Sequence, residues 1–316
     1  MAMLATPAFA HNIGGPLPWG ETCRIFPAHW QAWRTTLRKL FAPRDWGDIR
    51  WPEFAAMEAA RWIAVLPLAA TEQHGPHLPL GTDVLIAKAY LKEVRAQLGQ
   101  EPGQEPGKGI PAAFLPLQGI GISTEHRDYP GTLTLPPEIA IATWVAIGEG
   151  VARAGVKKLV LVSSHGGNNA AMTLAAQELR ARHNLFVVTT AWSRLCGASA
   201  LFPQPEVEYG IHGGAVETSI MLASHPEHVR LADIADYPSR ARTMGANPLI
   251  LSLAPPRAAA PAWQAQDLHP AGAVGDTRLA SAEKGRELIE AGAQAFCQLL
   301  AEIDQVDLAT LAEGVV

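Results

Sequence analysis

Lys158-Leu-Val-Leu-Val-Ser163, followed at once by Ser164-His165-Gly166-Gly167-Asn168-Asn169, decides how this chain reads. A continuous apolar run of this kind, ended by a polar turn, is the pattern of a strand buried on both faces of a sheet. Helical patterning follows over residues 169–183. Gly166 and Gly167 let the backbone turn sharply between the two elements and approach a ligand closely. His165 then projects from the carboxyl end of the strand, where open α/β sheets collect their ligands. A helix-capping turn with an incidental histidine accounts for the same residues. A phosphate-cradling loop does not, because no Lys-Ser/Thr follows the glycines.

Working outward, short apolar runs alternate with helical stretches. Strands are predicted over residues 62–68, 112–117 and 185–190, and helices over 83–98, 137–154, 215–223 and 281–300. The tandem Gln-Glu-Pro-Gly repeat near residues 100–107 reads as a flexible surface loop, and 236–277 as mostly irregular. Strands alternating with helices at this spacing make βαβ units. The expected architecture is α/β: a single three-layer α/β/α domain with a mostly parallel sheet, over residues 56–305. Residues 1–55, rich in Trp and Pro, read as an extension with a helix near 29–41 that packs on the core or on a neighbouring subunit.

Composition narrows the function. The 316 residues carry a net charge of -5, so no basic excess is available to hold a nucleic acid. No apolar run is long enough to span a bilayer. The start of the chain ends in a small-residue, cleavage-like pattern, but lacks a basic n-region and is interrupted by Pro7, against a signal peptide. Cys23, Cys196 and Cys297 are scattered, with no Cys-x-x-Cys, which fits a reducing, cytoplasmic setting. The partner expected is a small molecule.

Three further segments carry metal-type side chains. In Glu72-Gln-His74-Gly-Pro-His77, an extended chain puts Glu72 and His74 on one side, a natural half-site for a transition metal. The same stretch also reads as a polar turn with Thr82 or Asp83 capping the next helix. In His212-Gly-Gly-Ala-Val-Glu217, Glu217 is an acid in an apolar helix, costly to bury without a positive partner, though a helix dipole also favours it there. His212 is placed for acid–base work. The loop Ser123-Thr-Glu125-His126 presents Ser123, Glu125 and His126 to a pocket, or simply covers the surface. No Gly-x-Ser-x-Gly and no His-Glu-x-x-His occurs, so serine-hydrolase and zinc-peptidase helices are absent.

Together these motifs resemble the creatininase family. The matches are Glu72-Gln-His74-Gly with Asp83, Pro130-Gly-Thr-Leu-Thr-Leu, His165-Gly-Gly-Asn-Asn, His212-Gly-Gly-x-x-Glu217-Thr-Ser and Gly275-Asp-x-x-Leu-Ala-Ser-Ala-Glu-Lys-Gly285, in order. The resemblance implies two divalent ions (zinc, manganese or iron) and a ring-like homo-oligomer, often a hexamer. Asp83 would bridge the ions, with Glu72 and His165 on one and His74 and Glu217 on the other. His212 would shuttle a proton. The implied reaction is hydrolysis of a C–N bond in a small cyclic amide or formamide by a metal-bridged hydroxide.

Creatininase proper carries Tyr and Glu where this chain has Gly166 and Gly167. Of its two substrate-enclosing tryptophans only one is matched, by Trp192, the other falling near Glu208. Ser123, His126, Gly166 and Trp192 are therefore the substrate-side candidates, and creatinine itself is not implied. Peptide cleavage or ring opening at the same centre, and a non-catalytic metal-binding member, are the alternative readings.

Overall fold

Apolar strands pair where both of their faces can be covered, and the topology follows from that. The computed structural model describes residues 44–56, 58–99, 109–243, 259 and 261–311. The principal elements are β1 (Arg44–Asp45), β2 (Ile63–Leu68), α1 (Thr82–Gly99), β3 (Ala112–Phe114), α2 (Pro137–Arg153), β4 (Lys158–Ser163), α3 (Asn169–His183), β5 (Phe186–Ala191), α4 (Ala215–Ser224), β6 (Asp236–Tyr237), β7 (Gly275–Asp276) and α5 (Ala282–Asp304). The sheet runs in the order β1-β3-β2-β4-β5 with every pair parallel, as the alternation predicts.

Strand alternation divides the core in two. Ile63 and Val65 of β2, with Val160 and Val162 of β4, face Ile86, Tyr90, Ile220, Leu288 and Phe296 of α1, α4 and α5. Ala64, Leu66, Leu68, Leu159 and Leu161 face Trp144, Met172 and Leu179 of α2 and α3 on the other side. Burial on both faces is why β2 and β4 read as unbroken apolar runs instead of alternating ones. The result is the three-layer arrangement expected.

Register places the functional end. Leu68 of β2 pairs with Ser163 of β4, and Ser163 pairs with Ala191 of β5. The chain therefore leaves three strands on one line, and residues 69–83, 164–169 and 192 onward start from the same edge.

Some boundaries differ from expectation. β3 stops at Phe114. The Leu115 N–H still donates to the Val65 carbonyl at 2.8 Å, but Pro116 has no N–H for a ladder, and pairing with β2 is taken up again at the Leu68–Gln118 bridge. Arg44–Asp45 pairs with β3, so the sheet begins earlier in the chain than residue 56. The segment read as irregular contains β6, paired antiparallel to β7. The helix expected near 29–41 and the repeat at 100–107 lie outside the described residues. Among the described residues no helix is long and apolar enough to cross a membrane.

Candidate metal centre

Five side chains from distant segments meet beyond the carboxyl ends of β2 and β4. Glu72 and His74 sit on the excursion after β2, which is tied down by the Thr71–Leu133 and His74–Leu78 bridges and by the Glu72 N–H donating to the Leu80 carbonyl at 2.9 Å. Asp83 lies in the first turn of α1 and is buried. Its oxygens face opposite partners: Oδ1 is 3.6 Å from His74 Nε2, and Oδ2 is 3.4 Å from His165 Nδ1. The capping alternative for Asp83 thus loses to a role inside the cluster. Glu72 Oε1 is 3.0 Å from His165 Nδ1, and Glu217 Oε2 is 3.9 Å from His74 Nε2. His212 Nδ1 is 3.7 Å from Glu72 Oε1, its ring 4.2 Å from that of His74.

Hydrogen bonds made on the outer side hold the rings in place. Asn168, fully buried, accepts from the Ile122 N–H at 3.0 Å and donates to the Ala69 carbonyl at 3.1 Å. It thereby joins the chain after β2, the loop before His126 and the turn that carries His165. Glu217 Oε2 accepts from the Gly213 N–H at 2.6 Å. Glu206, also buried, accepts from the N–H groups of Ala215 and Asp276, both at 2.7 Å, and so anchors the start of α4 to β7.

Charge in this pocket is unbalanced. Burial alone would strip protons from His74 and His165, but the carboxylates outweigh it: Asp83, Glu217 and Glu72 push His74 up to about 10, and Glu72, Asp83 and Glu125 push His165 up to about 10. Burial also opposes ionisation of Glu72, yet the imidazoles, His165 foremost, bring it down to about 2. Burial raises Asp83 and lifts Glu217 to about 7 against the pull of His74. Burial, with His212 alongside, holds His126 down at about 2. The cluster demands positive charge, and without cations it recruits protons to supply it.

Divalent ions meet that demand better. Glu72 Oε1 and Oε2, Asp83 Oδ2 and His74 Nε2 are buried without a hydrogen-bond partner. Leaving so many polar atoms unsatisfied is expensive. Two atoms bound at about 2.1 Å to a tetrahedral ion lie roughly 3.4 Å apart, which matches the separations above. Glu72, Asp83 and His165 form one group with ligand atoms within 4.8 Å of one another, and His74, His212 and Glu217 form another. The residues present fit a pair of ions.

The substrate-side candidates divide. His126 is buried with Nε2 3.6 Å from Glu72 Oε1. Ser123 is buried with an unpartnered hydroxyl. Gly166 opens onto free space. Trp192 is not brought to the cluster: its ring stacks on Tyr90 at 4.5 Å and meets Phe296 at 4.9 Å, inside the core on the α5 side of the sheet. As the first residue after β5 it turns inward to cap the strand end with apolar surface. The aromatic edge beside the centre belongs to Trp263, whose ring meets that of His126 edge-on at 6.2 Å. Nothing in the local pattern around Trp263 marks it. Sequence reasoning also missed Gln73, Asn168 and Glu206 as supports; for Gln73, its position between two ligand-type residues was an available signal.

Fold and cluster together define an α/β protein with a buried carboxylate–histidine cluster at its strand ends whose residues fit divalent ions. The creatininase model, described as creatinine amidohydrolase, matches residues 47–300. Creatinine amidohydrolase of Pseudomonas putida is 28% identical over 273 residues, covering 81% of this chain and 95% of that protein. The mycofactocin precursor peptide peptidase of Mycobacterium tuberculosis is 33% identical over 232 residues, covering 72% and 80%. A crystal structure of creatinine amidohydrolase (creatininase) superposes with a TM-score of 0.63 at 26% identity, covering 84% of this chain and 99% of that one. A manganese form of creatininase and a zinc–zinc form of a creatininase mutant superpose at 0.62 and 0.61, with 26% and 27% identity, covering 83% and 81% of this chain and 98% and 96% of theirs. The chain belongs to the creatininase family and is a hydrolase of that family.

Proposed function

We propose that the protein is a two-metal amidohydrolase that cleaves a C–N bond of a small cyclic amide or formamide. The observation that carries this reading is the division of the Asp83 carboxylate, one oxygen toward His74 and the other toward His165, with Glu217 and Glu72 completing the two sides. Glu72, His165 and Asp83 would hold one ion, and His74, Glu217 and Asp83 the other. When bound, such ions acidify a water into a nucleophile and polarise the scissile carbonyl.

His212 fits the proton shuttle. Its Nε2–H donates to the Gln73 carbonyl at 2.6 Å, which leaves Nδ1 bare toward the centre. A bare nitrogen there takes the proton released by the nucleophile and returns it to the departing nitrogen. Distance also permits His212 to be a ligand beside His74 and Glu217. His212→Ala separates the two roles. Two zinc or manganese ions per chain with most turnover lost supports the shuttle, whereas loss of one ion makes His212 a ligand.

A peptide substrate is the second reading, favoured by the 33% identity to a peptide peptidase. Cyclic amides, formamides and short peptides assayed with zinc, manganese and iron decide between them. Turnover of none by a protein that binds two ions would reject both. A ring-like homo-oligomer belongs to the same proposal, and sedimentation as a monomer would remove it.

A further inference from the structure

The histidines of the centre are not wired alike. His165 Nε2 donates to the Ile122 carbonyl at 2.7 Å, His74 Nδ1 to the Glu72 carbonyl at 3.0 Å and His212 Nε2 to the Gln73 carbonyl at 2.6 Å. A neutral imidazole has one N–H. In the ion-bound centre, where the histidine ligands are deprotonated, that one proton is spent outward, and His165 Nδ1, His74 Nε2 and His212 Nδ1 turn lone pairs inward.

His126 is held in the opposite sense. Its Nδ1 lies 2.7 Å from Gln73 Nε2, while its Nε2 faces Glu72 at 3.6 Å. Two backbone groups of fixed polarity set the orientation of the Gln73 amide. The Gly75 N–H donates to Gln73 Oε1 at 2.8 Å, and Gln73 Nε2 donates to the Gly272 carbonyl at 3.0 Å. A flipped amide would set donor against donor at one end and acceptor against acceptor at the other. The remaining Nε2 hydrogen goes to His126 Nδ1, which therefore accepts. His212 Nε2, 3.2 Å from Gln73 Nε2, already donates to the Gln73 carbonyl and does not compete. The clasp is purpose-built in its backbone: Gly75 and Gly272 both hold left-handed conformations, φ +73° and +81°, and a Cβ on Gly272 would overlap the Gln73 amide.

We propose that Gln73 is a positioning residue that fixes His126 as the Nε2–H tautomer, so that in the ion-bound centre His126, unlike His74, His165 and His212, presents a proton inward. That N–H is a hydrogen-bond donor for a substrate carbonyl oxygen as negative charge develops on it. The same proton keeps the third group of metal-type residues, Glu72, His126 and His212, from taking a cation. Their ligand atoms also lie within 4.8 Å of one another, so distance does not separate them from the other two groups. A ligating histidine must offer a lone pair, and His126 offers N–H.

The inference rests on the two-metal reading for its catalytic consequence, but the tautomer can be read without metal. Histidine-selective 15N labelling with long-range 1H–15N correlation spectra reports it in the metal-free and zinc-loaded chain. His126 is assigned by the signals missing from His126→Asn. Pyrrole-type Nε2 and pyridine-type Nδ1 are expected in both forms, with two zinc ions per chain by elemental analysis. In Gln73→Glu the donor becomes an acceptor, the His126 proton moves to Nδ1, and kcat falls about ten- to a hundredfold with KM little changed. Gln73→Met, which removes the amide without adding charge, gives a mixture of tautomers should the Glu variant misfold. A Nδ1–H tautomer in the unaltered chain, a tautomer unmoved by both variants, or a third zinc overturns the proposal. A chain that keeps the Nε2–H form yet binds no zinc sinks the two-metal reading alone.

Discussion

The Glu125 carboxylate lies directly over Gly167: a Cβ built on that glycine would come within 2.6 Å of Glu125 Oε1 and would also overlap the Ile122 carbonyl and the His165 ring. The missing side chain is what lets Glu125 approach His165, whose Nε2 is 3.8 Å from Glu125 Oε1. Gly167→Ala is expected to push His165 off its bond to Ile122, because the Ile122 carbonyl on that side is backbone and cannot yield cheaply, which leaves the His165 ring to move. Overpacking of this kind costs about 1–3 kcal/mol, and a displaced outer bond weakens metal affinity about ten- to a hundredfold. Calorimetric zinc titration and thermal melts check this, and wild-type values in both would mean that the turn relaxes.

Asp83 serves both sides of the cluster, so Asp83→Ala is expected to abolish binding of both ions and all hydrolysis. Elemental analysis after dialysis against zinc measures it. Retention of two ions per chain contradicts the bridging role.

Metal removal changes the pH dependence of stability. In the metal-free chain His74 and His165 titrate near 10, above the ordinary 6.5, so the folded state binds their protons more tightly than the unfolded one. Their contribution is complete below about 6.5, declines as pH rises, and is gone above about 10. Glu217, raised to about 7, pulls in the same direction, since burying its charged form opposes folding as pH rises. Glu72, lowered to about 2, contributes above 4.5 and loses that contribution as pH falls toward 2. The melting temperature of chelator-treated protein should fall between pH 6.5 and 10, and fall less in the metal-loaded protein, whose histidines are already deprotonated as ligands. Parallel curves for the two forms would count against the charge argument.

The two tryptophans separate core from site. Trp192→Ala should lower stability by about 3–5 kcal/mol, as large-to-small changes in a packed core do. Trp263→Ala should leave the melting temperature nearly unchanged and raise KM several-fold on the amide or peptide found by screening. The reverse pattern would return Trp192 to the substrate.

How much of this was legible in the chain differs by residue. The strand at Lys158–Ser163 and the helices after it announced themselves, because burial on both faces and helical periodicity are local patterns. Glu72, His74, Asp83, His165 and Glu217 were legible as ligand types, since acids and imidazoles crowded at strand ends and helix starts have few uses there. Trp192 was misplaced because a residue at a strand end can turn either way, and the apolar wall of Tyr90 and Phe296 comes from helices far along the chain.

Local pattern alone established the α/β alternation, the parallel sheet and the kinds of side chain available for chemistry. Strand register decided which of them meet, by aligning Leu68, Ser163 and Ala191 at one edge. Long-range packing then set the Trp263 ring beside His126 and the Trp192 ring in the core, and wired Gln73 to His126. The physical reason is that periodicity and turn propensity act over a few residues, whereas distances and hydrogen-bond polarity between segments far apart in the chain exist only once the layers have closed.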